Sequence, residues 1–217
     1  MVEAREVLDL ARDRVNSVTR TSADMHPSVV IVFSGKRKSG KDFVTDLLQK
    51  RLDDECALMR LSAPIKVQYA KNHGLDSDRL FDSTEYKEKY RKEMIEWGEE
   101  RRNRDPSYFC RLAIEMSEEH QTRPIWIISD ARRPSDIDYF RQNYSPLLTI
   151  RVEANDETRR RRGWIFTGGI DDAPSECALD HFTRWDMIVE NNGDDDACLQ
   201  SHLDSLLEMI DRCRRTK

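Results

Sequence analysis

No apolar run in these 217 residues approaches the roughly 20 that a membrane-spanning helix requires, so no membrane protein is expected. A basic excess is missing as well: 36 Lys and Arg stand against 41 Asp and Glu, for a net charge of −5. A non-specific nucleic-acid binder needs the opposite balance. The five cysteines (Cys56, Cys110, Cys177, Cys198 and Cys213) are scattered, odd in number and without a CxxC pair. They read as reduced thiols, because a chain of this length needs no disulfide staples. The N-terminus lacks the apolar stretch of a secretory signal, and Glu3, Glu6, Asp9 and Asp13 oppose an organellar transit peptide. The C-terminal Arg215-Thr216-Lys217 is not an address of the Ser-Lys-Leu type. A cytosolic monomer is expected, with peroxisomal entry by another signal left open.

Charged residues make up 35% of the chain and hydrophobic ones 38%, still enough to pack the core of one domain. Leu8, Ala11, Val15 and Val18 recur at helical spacing until His26-Pro27 breaks the pattern. Residues 1–28 therefore read as an N-terminal helical extension of a domain spanning 29–217. Val29 to Phe33 are five consecutive apolar residues rich in β-branching, the pattern of a strand buried on both faces. Similar runs recur at 57–61, 125–128, 147–152 and 187–189. Helical patterns alternate with them: 41–52, then 84–102 with Tyr86, Tyr90, Met94 and Trp97 on one stripe. Asp105-Pro106 predicts the start of another, with Phe109, Leu112, Ala113 and Met116 inward. The last places Leu199, Leu203, Leu206, Ile210 and Cys213 on one face. Strands alternating with helices predict an α/β fold, an open parallel sheet with helices on both faces.

Directly after the first strand, Ser34-Gly35-Lys36-Arg37-Lys38-Ser39-Gly40-Lys41-Asp42 leads into a helix. Gly35 and Gly40 bracket four residues and Lys41 follows, so this is GxxxxGK in the strand–loop–helix setting that a P-loop requires. The glycines let backbone N–H groups turn inward around an anion, and the helix start adds its positive dipole end. Lys41, expected to be exposed in the loop, would reach the β- and γ-phosphates. Asp42 stands where Ser or Thr usually serves Mg2+, and a carboxylate there could hold the ion directly or through water. Lys36, Arg37, Lys38 and Lys41 put four cations in six positions, enough to suggest phosphate on both sides of a transfer.

The third sheet run ends as Ile128-Ser129-Asp130-Ala131-Arg132-Arg133. An apolar strand ending in Asp is the Walker B pattern and puts Asp130 where Mg2+ would lie, with both arginines at the ligand-binding edge. Arg159 to Arg162 then precede a glycine-rich loop, and 159–172 read as a lid closing arginines over phosphates. Without a bound anion those four arginines are expected to repel one another.

The strings FSGKRKSGKDFVT, LSAPIKVQYA, YKEKYRKEMIEWGEERR, DPSYFCR, SDARRPSDI, RGWIFT and DDAPSECALD occur in that order from about Val29 onward. Together they resemble the animal-type phosphomevalonate kinase family. The resemblance implies a nucleoside-monophosphate-kinase-like P-loop fold with an Arg-rich lid. It also implies Mg2+- and ATP-dependent phosphorylation of mevalonate 5-phosphate to the diphosphate, in isoprenoid and sterol synthesis. By the same resemblance Lys41, Lys36, Arg37, Lys38 and Arg132 serve catalysis. Gly35, Ser39, Gly40, Asp42, Arg162 and Asn192 join the loop cations in holding ATP. Arg133, Arg102, Lys66, Lys87, Arg111 and Asn191 fall to the acceptor, and Asp42 and Asp130 to the metal.

The residue chemistry agrees. A phosphate monoester has a second pKa near 6 and is largely a dianion at neutral pH, so it needs charge neutralisation and no general base. Abundant Arg and Lys without a candidate histidine base suit that acceptor. The motifs alone leave open another small P-loop kinase acting on a nucleoside monophosphate, and a nucleotide-binding protein without turnover.

Overall fold

The computed structural model describes residues 26–81, 85–193 and 196–215. The amphipathic helix expected before His26 lies outside the described residues. Pro27 is buried and the Ser28 N–H donates to the Pro124 carbonyl at 2.6 Å, next to the start of the first strand.

Five parallel strands form one sheet: β1 (Val29–Ser34), β2 (Cys56–Met59), β3 (Ile125–Ile128), β4 (Leu147–Glu153) and β5 (Met187–Glu190), in the order β2-β3-β1-β4-β5. All six residues of β1 are buried because the strand is central, paired with β3 on one side and β4 on the other. Side-chain alternation splits them between two cores. Val29, Ile31 and Phe33 pack with Val44 and Leu48 of α1 (Lys41–Leu52) and with Leu199, Leu203, Leu206 and Ile210 of α9 (Asp196–Arg215). Val30 and Val32 face the opposite layer, with Cys110 and Ala113 of α5 (Tyr108–Glu115) and Ile137 and Phe140 of α6 (Pro134–Asn143). Burying each such aliphatic side chain contributes about 1.5–3 kcal/mol. β1 thus anchors the sheet and fixes the loop that leaves its carboxyl end.

A third cluster builds the cover over that end. Tyr69 and Ala70 of α2 (Ser62–His73), Leu80 of α3 (Ser77–Phe81) and Met94 of α4 (Glu85–Arg104) pack together, with Tyr86, Tyr90 and Trp97 partly buried against them. Two short helices, α7 (Asp156–Arg161) and α8 (Pro174–Cys177), lie between β4 and β5. The inward face of α5 differs from expectation: Cys110 and Ile114 take the places assigned to Leu112 and Met116, and Met116 is 46% exposed. The helix starts at Tyr108, two residues after Pro106, and its buried stripe is Phe109, Cys110, Ala113 and Ile114. No helix among the described residues is long and apolar enough to cross a membrane.

Candidate active site

The loop after β1 has the backbone its sequence promised. Lys38 and Gly40 take positive φ, 63° and 85°. A side chain at Gly35 would run into Ser39 Oγ at 2.6 Å and the Val152 carbonyl at 2.7 Å. One at Gly40 would collide with the Asn191 amide. Both glycines are therefore sterically required, and the loop folds back tightly on β4 and on the segment after β5.

Lys41 is not an exposed loop residue. It is the first residue of α1, 6% exposed, with its ammonium 2.5 Å from Asp42 Oδ1. Partial desolvation works against the Asp42 charge, but Lys41, with Arg60 and Arg132, outweighs it and holds the carboxyl below its usual range. Asp42 projects to solvent and stays ionised, an accessible hard oxygen ligand of the kind a divalent cation takes beside phosphates and water. Asp130 differs. Its buried carboxylate accepts the N–H groups of Leu61 and Ser62 at 2.5 and 3.1 Å, at the start of α2. Burial raises its pKa, yet the Lys41 charge and those hydrogen bonds bring it below the usual range. Asp130 ties α2 to the sheet edge, and its remaining lone pairs suit water held by a metal better than the metal itself.

Acids that the sequence reading missed hold five of the expected cations. Glu176 Oε1 receives Arg132 Nη1 at 2.6 Å, while its Oε2 accepts the Arg37 backbone N–H at 3.1 Å. Lys36 pairs with Asp180 at 2.7 Å and Arg37 with Asp171 at 3.5 Å. Arg133 pairs with Glu99. Arg102 lies 2.5 Å from Asp136, whose other oxygen accepts the backbone N–H groups of Arg132 and Arg133. Lys38 is exposed at the turn. One signal for Asp136 was present in the sequence: an acid three residues after Arg133, with Pro134 opening the helix, is a capping pattern.

A cavity of about 140 Å3 opens at the carboxyl end of β3. Lys66, Lys87, Arg102, Arg132 and Asp130 line it, joined by Arg91, Ile65, Met94, Ile95, Gly98 and Glu176. Arg91 escaped the sequence reading because it sits among the many charges of α4. Burial, reinforced by Lys87, lowers the Lys66 pKa to about 8. Lys87 is lowered likewise, by burial and then by Arg91. The cavity concentrates positive charge at a cost in desolvation that an anion would relieve.

Three acceptor candidates are not among the cavity-lining residues: Arg133, which pairs with the lining residue Glu99, and Arg111 and Asn191. Arg111 is exposed and paired with Asp105. Asn191 is buried against the P-loop, its amide N–H donating to the Ser39 carbonyl at 3.0 Å and its Oδ1 accepting from Arg162 at 3.3 Å. Asn192 accepts the Asn155 N–H at 2.9 Å and lines a second cleft with Lys36, Ser39, Arg151 and Asn155.

The arginines of 159–162 are partnered, contrary to the expected mutual repulsion. Arg159 donates to the Arg37 carbonyl at 2.9 Å and to Asp156 at 3.0 Å, and lies over the Trp164 ring at 3.9 Å. Arg160 reaches Asp156 at 3.7 Å. Arg162 donates to the Ser39 carbonyl at 2.9 Å. Backbone carbonyls of the P-loop supply counter-dipoles, and this segment packs on the loop.

A parallel sheet of this order, with a phosphate loop leaving its central strand and an Asp-terminated neighbour beside it, defines a P-loop kinase fold. A Thermus thermophilus protein designated TT1252 shares it, with 20% identity, TM-score 0.50, and coverage of 85% of this chain and 98% of that one. A shikimate kinase from Bacteroides thetaiotaomicron is 16% identical with TM-score 0.46, covering 84% and 98%. The family model described as phosphomevalonate kinase matches residues 33–146. A Drosophila melanogaster phosphomevalonate kinase is 43% identical over 184 residues, 83% of this chain and 96% of its own. The chain belongs to the phosphomevalonate kinase family.

Proposed function

We propose that this enzyme transfers the γ-phosphoryl group of ATP to the phosphate of mevalonate 5-phosphate, giving mevalonate 5-diphosphate and ADP. The observation that carries the reading is the cavity lined by Lys66, Lys87, Arg91, Arg102 and Arg132, within a chain of this family. Such a site suits an acceptor that arrives as a dianion.

The P-loop from Gly35 to Asp42 would cradle the ATP phosphates, with Lys36, Arg37, Lys38 and Lys41 against the charge. Arg162 and Asn192 border the nucleotide. Arg102 and Arg133 would grip the acceptor phosphate, with Lys66 and Lys87 opposite. Arg132 bonds both to Glu176 and toward the P-loop carbonyl of Gly35, so it is positioned to follow charge as the phosphoryl group moves. Catalysis is then positioning plus electrostatic stabilisation. Mg2+ would neutralise the β- and γ-phosphates, held by Asp42, with Asp130 binding its waters. Asn191 serves this reading as the residue that shapes the P-loop, and Arg111 has no part in it. Residues 159–172 act as a lid over the phosphates, and the domain works as a cytosolic monomer with residues 1–28 as an extension.

The test is coupled ADP release from the full chain with Mg2+, ATP and either mevalonate 5-phosphate or a panel of nucleoside monophosphates. Turnover with mevalonate 5-phosphate alone, abolished in Lys41→Met, is the expected result. Turnover only with a nucleoside monophosphate overturns the reading.

A further inference from the structure

Gly98 occupies the interior of α4, where glycine is the worst helix former after proline. It is buried and lines the cavity. Packing does not demand it: a Cβ there would approach nothing closer than Ile65 Cδ1 at 3.6 Å, an ordinary contact. The contrast with Gly35, where a Cβ has no room, is direct. Gly98 therefore keeps a helix weaker than it need be, at a point where a Cβ would meet only Ile65, another residue of the cavity wall.

We propose that Gly98 is a specificity-determining residue, which leaves room for the methyl-bearing carbon of the acceptor. This rests on mevalonate 5-phosphate being the acceptor. The phosphate end of that molecule belongs with Arg102 and Arg132, which line the same cavity. Its one apolar projection then needs an apolar wall, and Gly98 with Ile65 and Met94 supplies it. A methyl added at Gly98 would point at Ile65 and narrow the gap in which the substrate methyl sits.

The experiment compares wild type with Gly98→Ala and Gly98→Val, measuring Tm, KM for ATP and KM for the acceptor. It also uses the acceptor analogue lacking the C3 methyl. Gly98→Ala should raise Tm, by roughly 2–4 °C if it recovers the helix propensity. Its acceptor kcat/KM should nevertheless fall, by roughly 10–200-fold for one carbon in a fitted pocket. The ATP KM should stay within about twofold, since none of the residues proposed to border the nucleotide lines this cavity. The analogue should lose less than the natural acceptor, and Gly98→Val should deepen every acceptor effect. A more stable Gly98→Ala enzyme with unchanged acceptor kinetics overturns the inference, and so does a lowered Tm, which would make the glycine a packing requirement. Wild-type protein that ignores mevalonate 5-phosphate overturns the functional reading and this inference with it. Wild-type turnover with unaltered variants overturns this inference alone.

Discussion

Asp136 and Arg102 form an ion pair buried between α4 and α6, 2.5 Å apart, with the Asp136 side chain wholly out of solvent. The same carboxylate holds the backbone N–H groups of Arg132 and Arg133 at 2.9 and 3.1 Å. One acid thus sets the relative position of three arginines that come from two parts of the chain.

Removing that charge should therefore cost both stability and geometry. Asp136→Asn keeps an oxygen for the backbone donors but turns an amide toward Arg102, leaving a buried cation unpaired. Breaking one partner of a buried pair typically costs about 3–5 kcal/mol. Urea unfolding should show a loss of that size, and the neutral pair Arg102→Gln/Asp136→Asn should recover much of it. Equal stability losses in the single and double variants would show that Arg102 is not what Asp136 compensates.

The arginines should divide their labour. Arg133→Met and Arg102→Met should mainly raise the acceptor KM, because each grips a phosphate present in ground and transition states alike. Arg132→Met should mainly lower kcat, by about 10²–10³-fold for loss of one donor to developing charge. Steady-state kinetics with both substrates varied separates the two. Loss of ATP affinity alone in all three variants would move the acceptor site elsewhere.

The sheet and the P-loop were legible because their signals are contiguous: five apolar residues, then glycines at fixed offsets. The acids were not, because their meaning lies in contacts across the fold. Glu176 meets Arg132 from 44 residues away, and Asp136 meets Arg102 from 34. The burial of Lys41 was missed for a related reason: Asn191 and Arg162, far away in sequence, close in on Gly40 at the start of α1. The four arginines of 159–162 read as a lid over phosphates, but their partners, the P-loop carbonyls under Arg159 and Arg162, are not legible in a local charge run. Gly98 left no local trace at all, since a glycine in a charged helix shows its purpose only once the cavity is known.

Residues 159–172 should respond to ligands. Arg160 is 64% exposed at its side chain, and Ile165 and Phe166 are exposed large hydrophobics, although the Ile165 carbonyl accepts from Arg37 at 3.2 Å. Trypsin should cut after Arg160 or Arg161 in the free enzyme, because it prefers exposed, yielding chain. An ATP analogue with acceptor should slow that cut clearly, and either ligand alone should slow it partly. An unchanged rate in the saturated ternary complex would make the segment an ordinary surface element, and Arg162 would leave the nucleotide site.

Lys66 should write itself into the pH dependence. Its pKa lies at about 8, against an ordinary 10.5, because burial and neighbouring Lys87 disfavour the charged form. The acceptor phosphate needs that charge, so kcat/KM for the acceptor should fall as pH rises through about 8 in the free enzyme. A bound dianion favours the ammonium, which raises the Lys66 pKa in the complex, and the alkaline limb of kcat should lie at higher pH than that of kcat/KM. On the acid side, protonation of the acceptor itself near pH 6 sets the limb. Lys66→Arg provides the control, since a guanidinium stays charged throughout this range. Its kcat/KM should be lower at pH 7, because the guanidinium fits the space less well, yet flat through pH 8–9. A limb near pH 8 that survives in Lys66→Arg would assign the titration to another group and remove Lys66 from the acceptor site.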